Sequence, residues 1–329
     1  MSSLNQDSQK VLISAIGTMT SAAIVKALRK DETLTLIGLN SLSRFETATA
    51  KDVDEFYQVP SVLEDVDGYV AFILDFCKNH KIDYYYASID EEVCAISYKR
   101  PLFEAIGVTL CVPNFEAVNL CHYKNKFSKF IDLNFPDIAI KTFDDISECS
   151  DDDFPLFIKP VEGRASIGCV RVADFYEMQE CIKRSEYKSG YVIQQFVSGE
   201  NITVDLARNS LTGQVVLLAR RELLRNKNGC GIAVETFEDE RLTGICESIA
   251  AKISLNGVVN IEFFKTDSGY KIVEINPRFS AGTDYSVLSG FDSVHIAMQI
   301  ANGCSRRFEI DKIIVGSHFV KCYETYYVD

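Results

Sequence analysis

The sequence predicts a mixed α/β and α+β chain: an open parallel sheet with helices on both faces over residues 10–113, then a longer part built from antiparallel hairpins. Two observations carry this. Through the first hundred residues, short apolar runs alternate with amphipathic helical stretches, the pattern of repeated strand–helix–strand units. Beyond residue 150, strand-like runs are instead joined by short turns rich in glycine and asparagine, which suits antiparallel neighbours.

The elements follow in order. Residues 11–17, VLISAIG, read as a buried first strand entering a turn, and Thr20 or Ser21 caps a helix through Arg29. Residues 34–39 form a second strand. Val66–His80 is an amphipathic helix with Lys78, His80 and Lys81 at its carboxyl end, where cations suit the helix dipole. A third strand covers 84–89, a helix 91–103, and a short fourth strand 109–112. This Rossmann-like unit lacks GxGxxG, with Gly17 the only glycine of its first turn, so the sequence favours a scaffold over a dinucleotide site. Asp90, Glu91 and Glu92 follow the third strand, either at the ligand-binding edge of the sheet or simply as acids suited to a helix N-terminus.

Asn114 caps a short helix to Leu120, and a second helix carries Lys124 and Lys126 onward to Leu133. Residues 154–160, FPLFIKP, form an apolar strand ending in Lys159. The loop that follows has glycines at 163 and 168 with Ser166 between them, before a strand at 169–172. Such a hairpin lets backbone N–H groups approach phosphate closely, although a surface turn needs glycine too; it is no Walker A loop. Asp174 caps a helix to about Ser185, and 191–197 is a strand. Residues 202–208 and 214–220 pair as antiparallel strands. Arg220, Arg221 and Arg225 precede a loop at 226–231 and either meet an anion or sit in solvent. A helix from about Asp239 to Ile253 and a last one after Asp292 or Ser293 complete the chain; His295 on the latter reads as structural.

The most informative stretch is 257–283, GVVNIEFFKTDSGYKIVEINPRFSAGT. Val259, Ile261 and Phe263 alternate with Asn260, Glu262 and Phe264, and Tyr270, Ile272, Glu274 and Asn276 fall on one face of a return strand. With Asp267, Ser268 and Gly269 as a three-residue loop, Thr266 meets Tyr270, Glu262 lies opposite Glu274, and Asn260 opposite Asn276. Opposed residues stand about 4.5–5.5 Å apart, and like charges so placed repel. The pair therefore asks for a cation, and an all-oxygen set points to Mg²⁺ or Mn²⁺ rather than zinc. Arg278 follows just past Pro277, where the strand must end. A metal with an arginine is equipment for holding phosphoryl oxygens.

Composition sets outer bounds. The 329 residues are 47% hydrophobic and 25% charged, enough for two or three packed units. A net charge of −13 argues against a general nucleic-acid binder. No run of about 18 apolar residues predicts a membrane span, and the polar start predicts no signal peptide. Eleven scattered cysteines without a CxxC pair read as reduced thiols of a cytoplasmic protein.

In this order the elements resemble the ATP-grasp superfamily, in particular carbamoyl-phosphate-synthase-like carboxylate–amine ligases. Lys124, FIKPVEGRASIGCV, QQFVSGENITVD and NIEFF…VEINPRFS carry the resemblance. It implies a Rossmann-like pre-ATP-grasp domain at 1–113, a small ATP-grasp subdomain at 114–196 and a C-terminal subdomain at 197–329. It further implies that Lys124 and Lys159 hold ATP phosphates, and that Gly163, Ser166 and Gly168 belong to the loop closing over them. Gln194, Gln195, Phe196 and Val197 are implied as the hinge strand reading the adenine, and Glu262, Glu274 and Asn276 as Mg²⁺ ligands. Arg278 is implied to steady the transferred phosphoryl group, with Lys159 beside it in catalysis. Tyr123 stands where such ligases often have Asp, so Lys126 is the alternative to Lys124. For the ribose, where Glu is common, the chain offers Glu200 and Asn201. The partners implied are a small carboxylate and an amine, with a homodimer as the family's frequent assembly.

Overall fold

The computed structural model describes residues 8–163, 167–184, 187–188, 190–310 and 312–327. Its first sheet has five strands, β1 (Gln9–Ile13), β2 (Leu34–Asn40), β3 (Glu55–Gln58), β4 (Tyr84–Tyr86) and β5 (Thr109–Leu110), all parallel in the order β3-β2-β1-β4-β5. This is the doubly wound arrangement expected of alternating strands and helices. Its helices are α1 (Met19–Leu28), α2 (Val66–His80), α3 (Asp90–Tyr98) and α4 (Arg100–Glu104). The cap of α1 is Thr18, whose hydroxyl accepts from the Ser21 N–H, rather than Thr20 or Ser21. The single helix predicted over 91–103 is two: Pro101 has no N–H for the ladder and opens α4 in its first turn. β3 is an addition to the prediction. It is a short, half-exposed edge strand without an apolar run to announce it.

Helices α5 (Phe115–His122) and α6 (Lys124–Asn134) lead to a four-stranded sheet. Its strands are β6 (Thr142–Phe143), β7 (Leu156–Pro160), β8 (Val170–Val172) and β9 (Tyr191–Gln195), in the order β6-β9-β7-β8, with α7 (Phe175–Ile182) against it. The remaining chain makes a six-stranded antiparallel sheet. Its strands are β10 (Glu200–Arg208), β11 (Val215–Arg225), β12 (Gly231–Phe237), β13 (Gly257–Thr266), β14 (Gly269–Asn276) and β15 (His318–Val320), in the order β14-β13-β10-β11-β12-β15. Three helices belong to this part, α8 (Glu240–Lys252), α9 (Thr283–Leu288) and α10 (Ser293–Ala301). β11 runs five residues past the predicted end, and β12 and β15 were not expected from local pattern.

Packing fixes the relative placement of the sheets. One face of the parallel sheet buries Leu12, Ile37 and Tyr85 with α2 and α3. Its other face joins α1 to the C-terminal part, where Val11, Ile24 and Leu28 share a core with Phe279, Phe291 and Val294. Tyr86 adds a hydrogen bond from its hydroxyl to the Val294 carbonyl, 3.0 Å. A separate core packs α6 and α8 on one face of the six-stranded sheet through Phe127, Ile131, Cys246 and Ile249. The opposite face of that sheet is covered in part by α10 through Ala207, Leu218 and Val258, and the rest of it, with the four-stranded sheet, lines the site. Among the described residues no helix is long and apolar enough to cross a membrane.

Candidate active site

The β13–β14 hairpin carries the carboxylates, by a route different from the predicted one. Thr266 pairs with Gly269, so the turn holds only Asp267 and Ser268 and is one residue shorter than expected. A bulge at Val273 then adds one residue to β14, between the pair Phe263–Ile272 and the pair Glu262–Glu274. The two shifts cancel, and Glu262 faces Glu274 and Asn260 faces Asn276. The bulge also reverses the faces. Tyr270, Ile272 and Ile275 lie in the helix-side core, whereas Glu274 and Asn276 turn to the open side, so the four predicted residues do not share one face. On β10, Thr203 pairs with Glu262 and Asp205 with Asn260, extending the polar face by one strand.

The face is held by one amide and two arginines. Asn276 Nδ2 donates to Glu262 Oε1 (3.2 Å), Glu274 Oε1 (3.4 Å) and Asn260 Oδ1 (3.4 Å). Arg225 Nη2 stands 3.5 Å from Glu262 Oε2. Burial, then the charge of Glu274, pushes the Glu262 carboxyl up from 4.5 to about 7, partly offset by Arg225. Asp205 is buried with Arg220 at 2.7 Å, and also accepts from Ser286 Oγ at 2.7 Å and Asn260 Nδ2 at 3.0 Å. Charge balance on this face is thus nearly closed except at Glu262 and Glu274. Two carboxylates and an amide could supply part of the oxygen set of Mg²⁺, which ordinarily completes its six sites with phosphate and water. With the Asn276 amide turned about its last bond, its oxygen takes the place of Nδ2 between the carboxylates.

Two cavities meet at these carboxylates. The first, about 190 Å³, lies between the four- and six-stranded sheets and is lined by Lys124, Lys159, Gly163, Gln195, Phe196, Val197, Asn201, Glu262 and Glu274. Ile140, Phe264 and Cys169 supply further walls, none of them foreseen from the sequence. Lys159 ends β7 and is 4% exposed; burial lowers its pKa while Glu274 raises it, and its Nζ stands 3.4 Å from the Val273 carbonyl. Lys124 opens α6 and donates to the Gly163 carbonyl at 2.7 Å. Lys126 turns away, to Asn119 Oδ1 and over the Tyr123 ring, so Lys124 is the lysine that faces the cavity. Asn201 lines it and accepts from Arg225 at 2.7 Å, whereas Glu200 is exposed and pairs with Arg221 at 2.6 Å.

Not every expected residue comes to this cavity. The Gln194 side chain is buried behind β9, donating to Thr142 Oγ1 at 3.1 Å. The backbone N–H groups of Gln195 and Phe196 donate to the Lys141 and Pro155 carbonyls. Gly168, with φ +76°, sits outside the lining and its carbonyl accepts from the Tyr187 hydroxyl. Ser166 lies outside the described residues.

Asn276 and Arg278 belong to the second cavity, about 160 Å³, on the far side of the same carboxylates. Glu222, Arg225, Gly229, Cys230, Ser280 and Tyr285 line it as well. The three arginines singled out in the sequence therefore part company. Arg220 is buried against Asp205, Arg221 pairs with Glu200 and Glu235, and Arg225 alone of the three lines both cavities. Of the acids after the third strand, Asp90 reaches Arg278 Nε (2.9 and 3.0 Å). Glu92 is fully buried, held by Ser14, Tyr69 and Tyr85.

Comparison with known proteins bears on the family and the fold. Residues 188–316 match the family model described as ATP-grasp in the biosynthetic pathway with Ter operon, and residues 11–111 match that of a PylC-like N-terminal domain. The chain carries an ATP-grasp domain behind a PylC-like N-terminal domain. This ATP-grasp chain is 23% identical over 194 residues to the 3-methyl-D-ornithine–L-lysine ligase of Methanosarcina mazei, covering 58% of the chain and 48% of that protein. It is 22% identical over 220 residues to the arginine-specific carbamoyl phosphate synthase large chain of Bacillus subtilis, covering 61% of the chain and 21% of that protein. The chain thus spans about half the length of the first relative and a fifth of the second. In fold it resembles the biotin carboxylase domain dimer of Hydrogenobacter thermophilus 2-oxoglutarate carboxylase, solved with MgADP and bicarbonate. That likeness has a TM-score of 0.75 at 16% identity, over 95% of this chain and 74% of the other. It likewise resembles an L-amino acid ligase from Bacillus licheniformis, with a TM-score of 0.68 at 18% identity, over 90% and 75%.

Proposed function

We propose that this chain is an ATP-dependent carboxylate–amine ligase. One observation carries the reading: Glu262 and Glu274 belong to the wall that two cavities share, one with two lysines and apolar sides, the other with three arginines, Arg278 among them, and polar sides. A nucleotide in the first cavity places its phosphates at that wall, against Lys124 and Lys159, with Asn201 toward the sugar and the backbone near Val197 at the base. A carboxylate in the second approaches the same wall from the opposite side, beside Arg278. That disposition suits in-line transfer, in which catalysis is mostly positioning and charge neutralisation.

Glu262, Glu274 and Asn276 would hold the Mg²⁺, which supplies charge stabilisation across the phosphoryl oxygens. The lysines neutralise the remaining phosphate charge, and Arg278 steadies the phosphoryl group as it passes to the carboxylate. The resulting acyl phosphate is attacked by an amine or ammonia, giving an amide and phosphate beside ADP. Gly163 lies at the wall of the first cavity, where the chain borders the phosphates. The names of the relatives favour amino-acid substrates, and the biotin carboxylase likeness favours a homodimer.

The test is ADP release with MgATP against a panel of carboxylates and amines, run beside Glu274→Gln. Turnover that requires both partners and disappears in the variant is the expected result. Tight MgATP binding without turnover on a broad panel would instead mark a nucleotide-binding regulatory module.

A further inference from the structure

Arg278 stands at the exit of β14, but its orientation is set from 188 residues away. Its Nε–H is shared between both oxygens of Asp90, at 3.0 and 2.9 Å. Nη1 donates to the Phe279 carbonyl at 3.1 Å, and Nη2 to Asn276 Oδ1 at 3.3 Å. A guanidinium has five N–H bonds in one plane, and the contacts to Asp90 and to the Phe279 carbonyl, which do not depend on how the Asn276 amide is turned, anchor that plane. One N–H on each terminal nitrogen is left over. Arg278 lines the second cavity, whereas Asp90 does not.

The charges around Arg278 explain why a distant carboxylate is needed. Glu274 and Glu262 both attract the guanidinium electrostatically, with Asp90 the strongest of the three. An arginine without Asp90 would be drawn toward Glu262 and Glu274 and would neutralise the pair meant for a cation. A simple domain clamp explains the contact less well. The parallel sheet is already joined to the C-terminal part by a large apolar core, beside which one partly buried ion pair contributes little.

We propose that Asp90 is a positioning residue. It holds the Arg278 guanidinium off the metal-binding carboxylates and turns its remaining N–H bonds toward the phosphoryl group in transfer. The inference rests on the ligase reading above. It makes the first turn of α3, in the parallel-sheet domain, part of the machinery of the six-stranded sheet.

The test uses the full chain and MgADP, with and without aluminium fluoride as a stand-in for the phosphoryl group, read by calorimetry. In the unaltered protein, fluoride is expected to tighten MgADP at least tenfold. Asp90→Asn should weaken MgADP, because the released guanidinium turns to the carboxylates that face the cation, and should weaken the fluoride complex at least fivefold more, so that most of the tightening is lost. Asp90→Glu, which restores the charge, should recover part of it, and adding Asp90→Asn to Arg278→Ala should cost nothing more. Full tightening in Asp90→Asn would overturn the proposal. So would an equal loss of MgADP affinity with and without fluoride, which marks a structural role only. If the unaltered protein binds no MgADP, the ligase reading itself fails and takes this inference with it. Binding without tightening overturns the roles given to Arg278 and Asp90 and leaves the nucleotide site standing.

Discussion

Replacing Glu262 by Gln should stabilise the metal-free protein while removing its response to metal. In the folded chain this carboxyl titrates at about 7 instead of 4.5. The folded state thus binds the proton more tightly than the unfolded one, and stability falls as pH rises from about 4.5 to about 7. A displacement of that size corresponds to about 3 kcal/mol. Because 27% of the Glu262 side chain faces the cavity, solvent reduces the effect, and about 1–3 kcal/mol is expected. The Gln variant carries no charge, so above pH 7 it escapes the penalty, and its amide oxygen still accepts from Asn276. Urea unfolding at pH 5 and pH 8, in metal-free buffer, measures this directly. The variant should match the parent at pH 5 and exceed it at pH 8, and Mg²⁺ with ADP should stabilise the parent alone. A variant less stable than the parent at pH 8 without metal would refute the account, because mutual repulsion and burial would not then govern the pair.

The two candidates for the sugar separate by mutation. Asn201→Ala should weaken MgADP binding about tenfold, the worth of one hydrogen bond to a ligand, whereas Glu200→Ala should leave it unchanged; titration calorimetry distinguishes them. Asp205→Asn should destabilise the fold by about 3–5 kcal/mol, since it leaves the Arg220 charge buried without its partner. A loss under 1 kcal/mol in the unfolding free energy from urea titration would show that Ser280 and neighbouring groups hold the guanidinium alone.

Local chemistry was legible wherever one stretch of chain decides the outcome. Val66–His80 forms as its period indicates, with Asp65 capping it and Lys81 closing it in the left-handed conformation. The hairpin shows both the reach and the limit of such reasoning. Glu262 faces Glu274 because a shortened turn and a bulge compensate, and pairing parity survives two opposite single-residue shifts. The bulge had a trace in the sequence. Tyr270, Ile272, Val273 and Ile275 break strict alternation at the residue that bulges. β3, β12 and β15 had no comparable trace, because β3 is held by β2 and β15 by β12, through pairings distant or not periodic in the sequence. The same holds for Arg220, an arginine whose burial is set by Asp205 on the adjacent strand.

What no motif showed is how the charges divide. Arg220 is matched to Asp205 and Arg278 to Asp90, each cation taken by a carboxylate that does not itself belong to the predicted metal set. Had either arginine been free, it would have turned to Glu262 and Glu274, the nearest uncompensated negative charges. Arg225 does approach Glu262, yet only at 3.5 Å, and it also serves Asn201 and the Gly229 carbonyl. Lys159, whose charge is disfavoured by burial, lies on the nucleotide side. The paired arginines therefore keep the two carboxylates electrostatically hungry at the junction of the cavities. Such a surplus costs stability in the empty protein and is recovered when a cation binds between phosphate and protein. The same arithmetic requires the Glu262→Gln variant to gain stability by the route through which it loses metal.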